Sequence, residues 1–222
     1  FRSGEIGRTR RLAMRLVVLR LLLPVPMQAL LPDLLNAMRA TSTPLADAGA
    51  LVSQLLGEIA VALAGVGWLV RRRWRETIER LGLAAVRPAH AGVILAGLVG
   101  ALAINAGMES LQHAALPELW RHDQEVTGLI AGHMPVWSAL LLGLSAGFGE
   151  EIAFRGALQP RLGVVLTALV FACGHVQYSW FGMLTIALLG VLLGLVRRQA
   201  NTSVAIVVHG LYDIVAVLTS QH

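Results

Sequence analysis

Residues 134–159 read MPVWSALLLGLSAGFGEEIAFRGALQ, and this stretch decides the fold. From Met134 to Gly149 it carries no charge; two glutamates and an arginine then follow inside the same run. A helix needs about 20 mostly apolar residues to cross a hydrocarbon layer roughly 30 Å thick, and this segment meets that length. The rest of the chain agrees: of 222 residues 56% are apolar and 14% charged, with a mean hydropathy of +0.68, too oily for an ordinary soluble domain. In lipid each segment must satisfy its own backbone hydrogen bonds, and no run alternates like a barrel strand. The expectation is an all-α polytopic transmembrane bundle, one integral domain over 1–222.

Working outward, apolar runs over 12–32, 48–70, 90–112, 134–159, 162–178, 180–196 and 202–219 suggest seven spans. The first is weak, because Arg15, Arg20, Pro24 and Pro26 interrupt it, and an interfacial amphipathic helix is an equal reading. A signal peptide over 8–32 is a further way to misread that stretch. The chain opens on Phe1 rather than Met, so the natural start is expected upstream.

The net charge of +5 comes from 18 Arg with no Lys. These arginines cluster between apolar runs, as in cytoplasmic loops, and nucleic acid is not suggested. Arg2, Arg8, Arg10, Arg11, Arg71, Arg72, Arg73, Arg75, Arg80, Arg87, Arg161, Arg197 and Arg198 fall on one side if all seven spans cross. Arg39 and Arg121 fall on the other, with Asp33, Asp47, Glu118, Asp123 and Glu125. The positive-inside rule then puts the N-terminus in the cytoplasm, with membrane lipid as the surroundings. The all-Arg, Ala-, Leu- and Gly-rich composition hints at a bacterial inner membrane. The single cysteine, Cys173, rules out an intrachain disulfide and reads as a small packed residue.

An ionisable group inside hydrocarbon costs roughly 2.5–3.5 kcal/mol on insertion scales, so each needs a partner or a task. The later spans contain Glu150, Glu151, Arg155, His175, His209 and Asp213. Glu151 and Arg155 stand four apart on one helix face and can pair, which leaves Glu150 without a local partner. His209 and Asp213 are also four apart. Counting from turns near Pro160–Gly163 and Asn201 at about 1.5 Å per residue, Glu150, His175, His209 and Asp213 come to roughly one depth. Two carboxyls and two imidazoles can polarise a water by hydrogen bonding alone. The same four side chains could instead ligate a metal such as zinc, whose bound water is acidified to a pKa of about 7. Either arrangement makes a hydrolytic nucleophile.

In this setting the sequence resembles the CPBP intramembrane proteases, a family that includes the CAAX prenyl endopeptidases and relatives linked to bacteriocin immunity. Its EExxxR motif matches Glu150, Glu151 and Arg155, its FxxxH motif matches Phe171 and His175, and its final His-x-x-x-Asn/Asp motif matches His209 and Asp213. The resemblance covers 134–219, which would hold the catalytic core helices. It implies that Glu150 activates the water, that His175 and His209 hold it or stabilise the oxyanion, and that Asp213 completes the set. Glu151 and Arg155 would serve as a brace and Phe171 as a wall. Asp213 stands where well-known relatives carry Asn. The family has been described both as metallopeptidases and as glutamate peptidases, and the implied substrate is a membrane-associated, prenylated or otherwise lipophilic peptide.

Other function classes use similar parts. A proton-coupled transporter also buries Glu, His and Asp, but no inverted repeat or matched pair of broken helices is visible. A non-catalytic immunity or interaction protein could keep the fold alone. Glu58, Asn105 and Glu109 are candidates to extend the polar cavity, Gly190 and Gly194 read as a packing stripe, and His90, His113, His122, His133 and His222 read as solvated histidines at span ends or in loops.

Overall fold

The computed structural model describes residue 15 and residues 17–40, 47–131 and 134–219. The expected start of the first span at 12, Arg2, Arg8, Arg10, Arg11, His133 and His222 lie outside the described residues. Among the described residues every regular element is helical. In chain order these are α1 (Val17–Ala29), α2 (Leu31–Ala40), α3 (Ala48–Val66), α4 (Trp74–Leu81), α5 (Ala91–Ala115), α6 (Pro117–Ala131) and α7 (Val136–Glu150). A π-helical segment (Glu151–Leu158) follows, then α8 (Gln159–Ala172), α9 (Trp180–Gln199) and α10 (Thr202–Thr219).

The polytopic helical bundle stands, and against the expected seven spans the described residues offer four to six candidates. Four helices among the described residues are long and apolar enough to cross a membrane: Ala48–Val66, Pro88–Ala115, Trp180–Gln199 and Thr202–Thr219. Two bent pairs raise this to at most six: α1 with α2, bent by 78°, and α6 with the run Val136–Ala172, bent by 107°. The expected spans 134–159 and 162–178 form one helical run interrupted at Gly163, whose φ of 78° and ψ of 176° leave the helix. After that break helix continues only to Ala172, too few residues to cross a layer of about 30 Å. The expected span over 48–70 stops at Val66, where Gly67 takes a left-handed φ of 86° and closes the helix end. The presumed loops 71–87 and 113–133 contain the helices α4 and α6. Pro117 starts α6 and Glu118 lies in its first turn, both favourable at a helix start.

Small residues set the central crossing. A Cβ added at Gly143 would stand 2.6 Å from the Gly210 carbonyl oxygen, and one at Gly147 would stand 3.0 Å from that of Ile206. Backbone therefore meets backbone between α7 and α10, the usual route to close helix approach where lipid supplies no hydrophobic drive. Gly190 and Gly194 on α9 make room instead for the side chains of Ala168 and Val164 on α8. Their carbonyls accept from the side chains of Arg155 (3.2 Å) and Gln159 (2.9 Å), so the packing stripe also satisfies buried donors. Ala62, Val66, Leu81, Ile152, Ala157 and Ile206 form the apolar core that seats α3 and α4 on the π segment.

At one end of the bundle Arg80 donates to the carbonyls of Gly156 (3.0 Å) and Ala157 (3.3 Å). Its pKa is lowered by burial and by the nearby charges of Arg161, Arg72 and Arg197, so arginines from three separate parts of the sequence gather around it. Asp123, which the sequence places between spans with the other acids of that side, is buried. It accepts from Gln112 Nε2, from Ser179 Oγ and from the Ser179 backbone N–H, each at 2.7 Å. Ser179 caps α9 through Gly182 N, so Asp123 pins the chain just after His175. His122, expected to be solvated, lies within α6 and donates from Nε2 to the Gln177 carbonyl at 3.0 Å.

Gly143→Val is expected to lower the thermal unfolding free energy in detergent by roughly 1–3 kcal/mol, because the atom it strikes is backbone. Gly57→Ala, at a position with nothing within 4 Å, is the control and should not destabilise. Asp123→Ala strands three donors and is expected to cost about 3 kcal/mol by the same measurement, whereas Asp123→Asn should cost less.

Candidate active site

The close crossing of α7 and α10 brings the ends of two motifs together. Glu150 is the last residue of α7, Glu151 opens the π segment, and His209 and Asp213 sit one turn apart on α10. His209 Nδ1 donates to Glu151 Oε1 at 2.8 Å. The other ring nitrogen, Nε2, faces Asp213 Oδ2 at 3.5 Å and Glu150 Oε2 at 3.9 Å. One imidazole thus separates the two neighbouring glutamates, one on each side of the ring.

Glu151 and Arg155 form the ion pair expected from their spacing, at 3.0 Å, with side-chain exposures of 0% and 1%. The EExxxR stretch that carries them is π-helical rather than the regular α-helix assumed from sequence. Such wide turns are uncommon and recur at functional sites. Arg155 also lies over the Phe171 ring, 4.6 Å from its centroid, and donates to Gly190. Glu151 is therefore more than a brace for Arg155: it orients His209 as well, a contact that i,i+4 spacing could not reveal.

Phe171 is the hub of an aromatic cluster. Its ring meets Phe154 at 5.1 Å, His175 at 5.0 Å and His209 at 6.2 Å. His175 lies beyond the end of α8, in the turn after Ala172, instead of inside a span. Its Nδ1 donates to the Phe171 carbonyl at 3.2 Å, which leaves Nε2 as the free acceptor. Among the described residues His175 makes no hydrogen bond or ion pair with Glu150, His209 or Asp213; Phe171 contacts both imidazoles. The structure thus joins Glu150, His209 and Asp213 directly, with His175 as an adjacent member.

Helix α3 adds a part that sequence reading missed. Gln54 donates to Glu58 Oε1 at 3.2 Å and approaches Glu150 Oε1 at 3.5 Å. Glu58, flagged as an extension of the cavity, packs its carboxylate on Gly149 and keeps Oε2 buried without a partner among the described residues. The spacing of Gln54 and Glu58, one turn apart on an apolar helix, was the available signal. Asn105 accepts from Tyr212 at 3.0 Å, whereas Glu109 accepts from Gln124 at an exposed position away from the cluster.

A metal was the other holder of water that these residue types allow. Among the described residues no group of three or more His, Cys, Asp or Glu side chains is arranged to hold a metal ion. The Nδ1 atoms of both histidines are held, His209 by Glu151 and His175 by Phe171, so Nε2 is the atom each imidazole would offer to a water or a metal.

Comparison with known proteins agrees with this part of the chain. Residues 132–215 match the family of Rce1-like type II CAAX prenyl endopeptidases. YpbD, an uncharacterised protein of Bacillus subtilis, is 33% identical over 79 residues, 34% of this chain and 42% of YpbD. The chain thus spans less than half the length of that relative, and no solved structure matches it. The segment that carries the glutamate, histidine and aspartate cluster, residues 132–215, is thus similar to the Rce1-like type II CAAX prenyl endopeptidases.

Proposed function

We propose that this protein is an intramembrane endopeptidase in which Glu150 activates a water held by His209 and Asp213, with His175 as the second imidazole. The observation that carries this reading is the position of His209 Nε2, 3.5 Å from Asp213 and 3.9 Å from Glu150, while its other nitrogen is fixed by Glu151. Glu150 ends a helix, has no neighbouring cation on its own turn, and lies within reach of a water seated against Nε2. The water oxygen adds to the scissile carbonyl carbon as Glu150 takes its proton. The oxyanion is met by the Nε2–H of His209 in its imidazolium form, whose Nδ1–H is held by Glu151. The C–N bond then breaks as Glu150 returns the proton to the leaving amine, and Glu150 ends the cycle as it began. Glu151 and Arg155 take no proton; they hold the ring in register.

Each step is carried by the chain's own side chains and none is routed through a metal. The substrate class that the family's description suggests is a lipid-modified, membrane-associated peptide. The arginine-rich end around Arg80 is assigned to the cytoplasm by the positive-inside rule, in a bacterial inner membrane.

Purified protein in vesicles is expected to cleave a peptide whose prenylated cysteine is followed by three aliphatic residues. Glu150→Gln should lower cleavage by at least about 100-fold without changing the melting temperature, and full activity in that variant would end its role as the base. Treatment with a strong chelator followed by gel filtration should leave the rate unchanged. Loss of activity restored by added zinc would overturn the metal-free reading. Arg155→Met removes one partner of a fully buried ion pair and is expected to destabilise the fold by roughly 3–5 kcal/mol in thermal unfolding.

A further inference from the structure

Arg20 is a charge in an apolar helix with no assigned task. It lies on α1 among Val18, Leu19 and Leu22, which are 47%, 64% and 58% exposed and form a lipid-facing surface. Arg20 itself is half-buried. Its guanidinium rests on Gly174: a Cβ there would collide with Nη2 and lie 3.6 Å from Cζ. Gly174 immediately precedes His175, and the Arg20 charge is felt at both Cys173 and His175. Further along, Gln28 Nε2 donates to the Tyr178 carbonyl at 3.2 Å, so α1 lies along the turn that carries His175. Among the described residues no carboxylate pairs with Arg20. The acids of the cluster are engaged elsewhere: Glu151 with Arg155 and His209, and Glu150 and Asp213 with His209.

We infer that Arg20 is a specificity residue that binds the C-terminal carboxylate of the peptide substrate. This rests on the peptidase reading above. A guanidinium within an apolar segment calls for an anionic partner, and its planar fork suits a carboxylate in two-point contact. The chain terminus is the one carboxylate that every peptide carries, whereas acidic side chains are disfavoured in an apolar cleft. Arg20 meets the turn at Gly174, next in sequence to His175, so a carboxylate held there would stand beside the turn that carries the second imidazole. Gly174 is part of the device, since a side chain there would push the guanidinium from its present seat.

The test compares two prenyl-cysteine peptides that differ only in ending as a free acid or an amide, with full-length protein in vesicles. The wild type is expected to prefer the acid by at least about tenfold in kcat/KM, mainly through KM. Arg20→Gln should bring that ratio close to one, Arg20→Lys should restore part of it, and Gly174→Ala, which displaces the group without removing it, should also reduce it. Efficient cleavage with no acid preference would sink the role of Arg20 and leave the peptidase reading intact. An equal loss on both peptides in Arg20→Gln would reduce Arg20 to a structural residue, and full rescue by an amidated peptide ending in Asp would overturn the assignment to the chain terminus. If the wild type cleaves neither peptide, the peptidase reading fails. Binding of the labelled peptides to Glu150→Gln and to Glu150→Gln with Arg20→Gln then decides the inference alone: tighter acid binding lost with Arg20 supports it, and equal binding ends it.

Discussion

One buried carboxylate organises the core. Glu151 accepts from His209 and pairs with Arg155, and both acid and base of that pair are almost completely shielded from solvent. Arg155 in turn donates to Gly190 on α9 and covers the Phe171 ring on α8. Four segments, the π segment, α8, α9 and α10, thus share one electrostatic centre. Charges removed so fully from water are tolerable only when each has partners in place, and removal of any one leaves the others uncompensated. The arrangement therefore acts as a register lock: the helices close fully only in the alignment that brings His209 to Glu151.

The same lock divides labour between two adjacent glutamates. Successive helical residues differ by about 100° in direction, so Glu150 and Glu151 cannot share a partner by lying side by side. They share one because an imidazole carries nitrogens on two sides of its ring. Nδ1 takes the residue buried with Arg155, and Nε2 turns to the residue left without a cation. Backbone contact at Gly143, Gly147 and Gly210 is what allows α10 close enough for the ring to fit between them. The packing of small residues and the chemistry of the cluster are in this sense one constraint.

Much of this was legible in the sequence. The helical membrane class followed from composition, and the pairing of Glu151 with Arg155 and the break near Gly163 followed from spacing. Other features were hidden because they depend on contacts between distant segments. The Glu151–His209 hydrogen bond joins residues 58 apart, and the Gln54–Glu150 approach joins residues 96 apart. Asp123 looked like a loop acid because its partners, Gln112 and Ser179, are unremarkable alone. Counting apolar runs gave seven spans where the described helices offer four to six candidates, because hydropathy does not register the break at Gly163. The run after Gly163 is apolar enough, but its helix stops at Ala172, ahead of Gly174 and His175.

Burial across the cluster is graded, and the gradient indicates how a hydrolytic site in lipid can work. Side-chain exposure is 0% at Glu151, 8% at His209, 11% at Glu150 and 16% at Asp213. The dry end holds the charges that must not move, where low dielectric strengthens the pairing. The more exposed end holds the carboxyl groups that face His209 Nε2, where, on the peptidase reading, a water would enter and a peptide would reach. A uniformly dry cluster would be rigid but inaccessible, and a uniformly wet one would lose the fixed orientation of His209. Approach from the Asp213 side, with the His175 turn beside it and α1 lying along that turn, satisfies both requirements. The least regular parts of the fold, the π segment and the turn after α8, thus border the position where a reacting bond would lie.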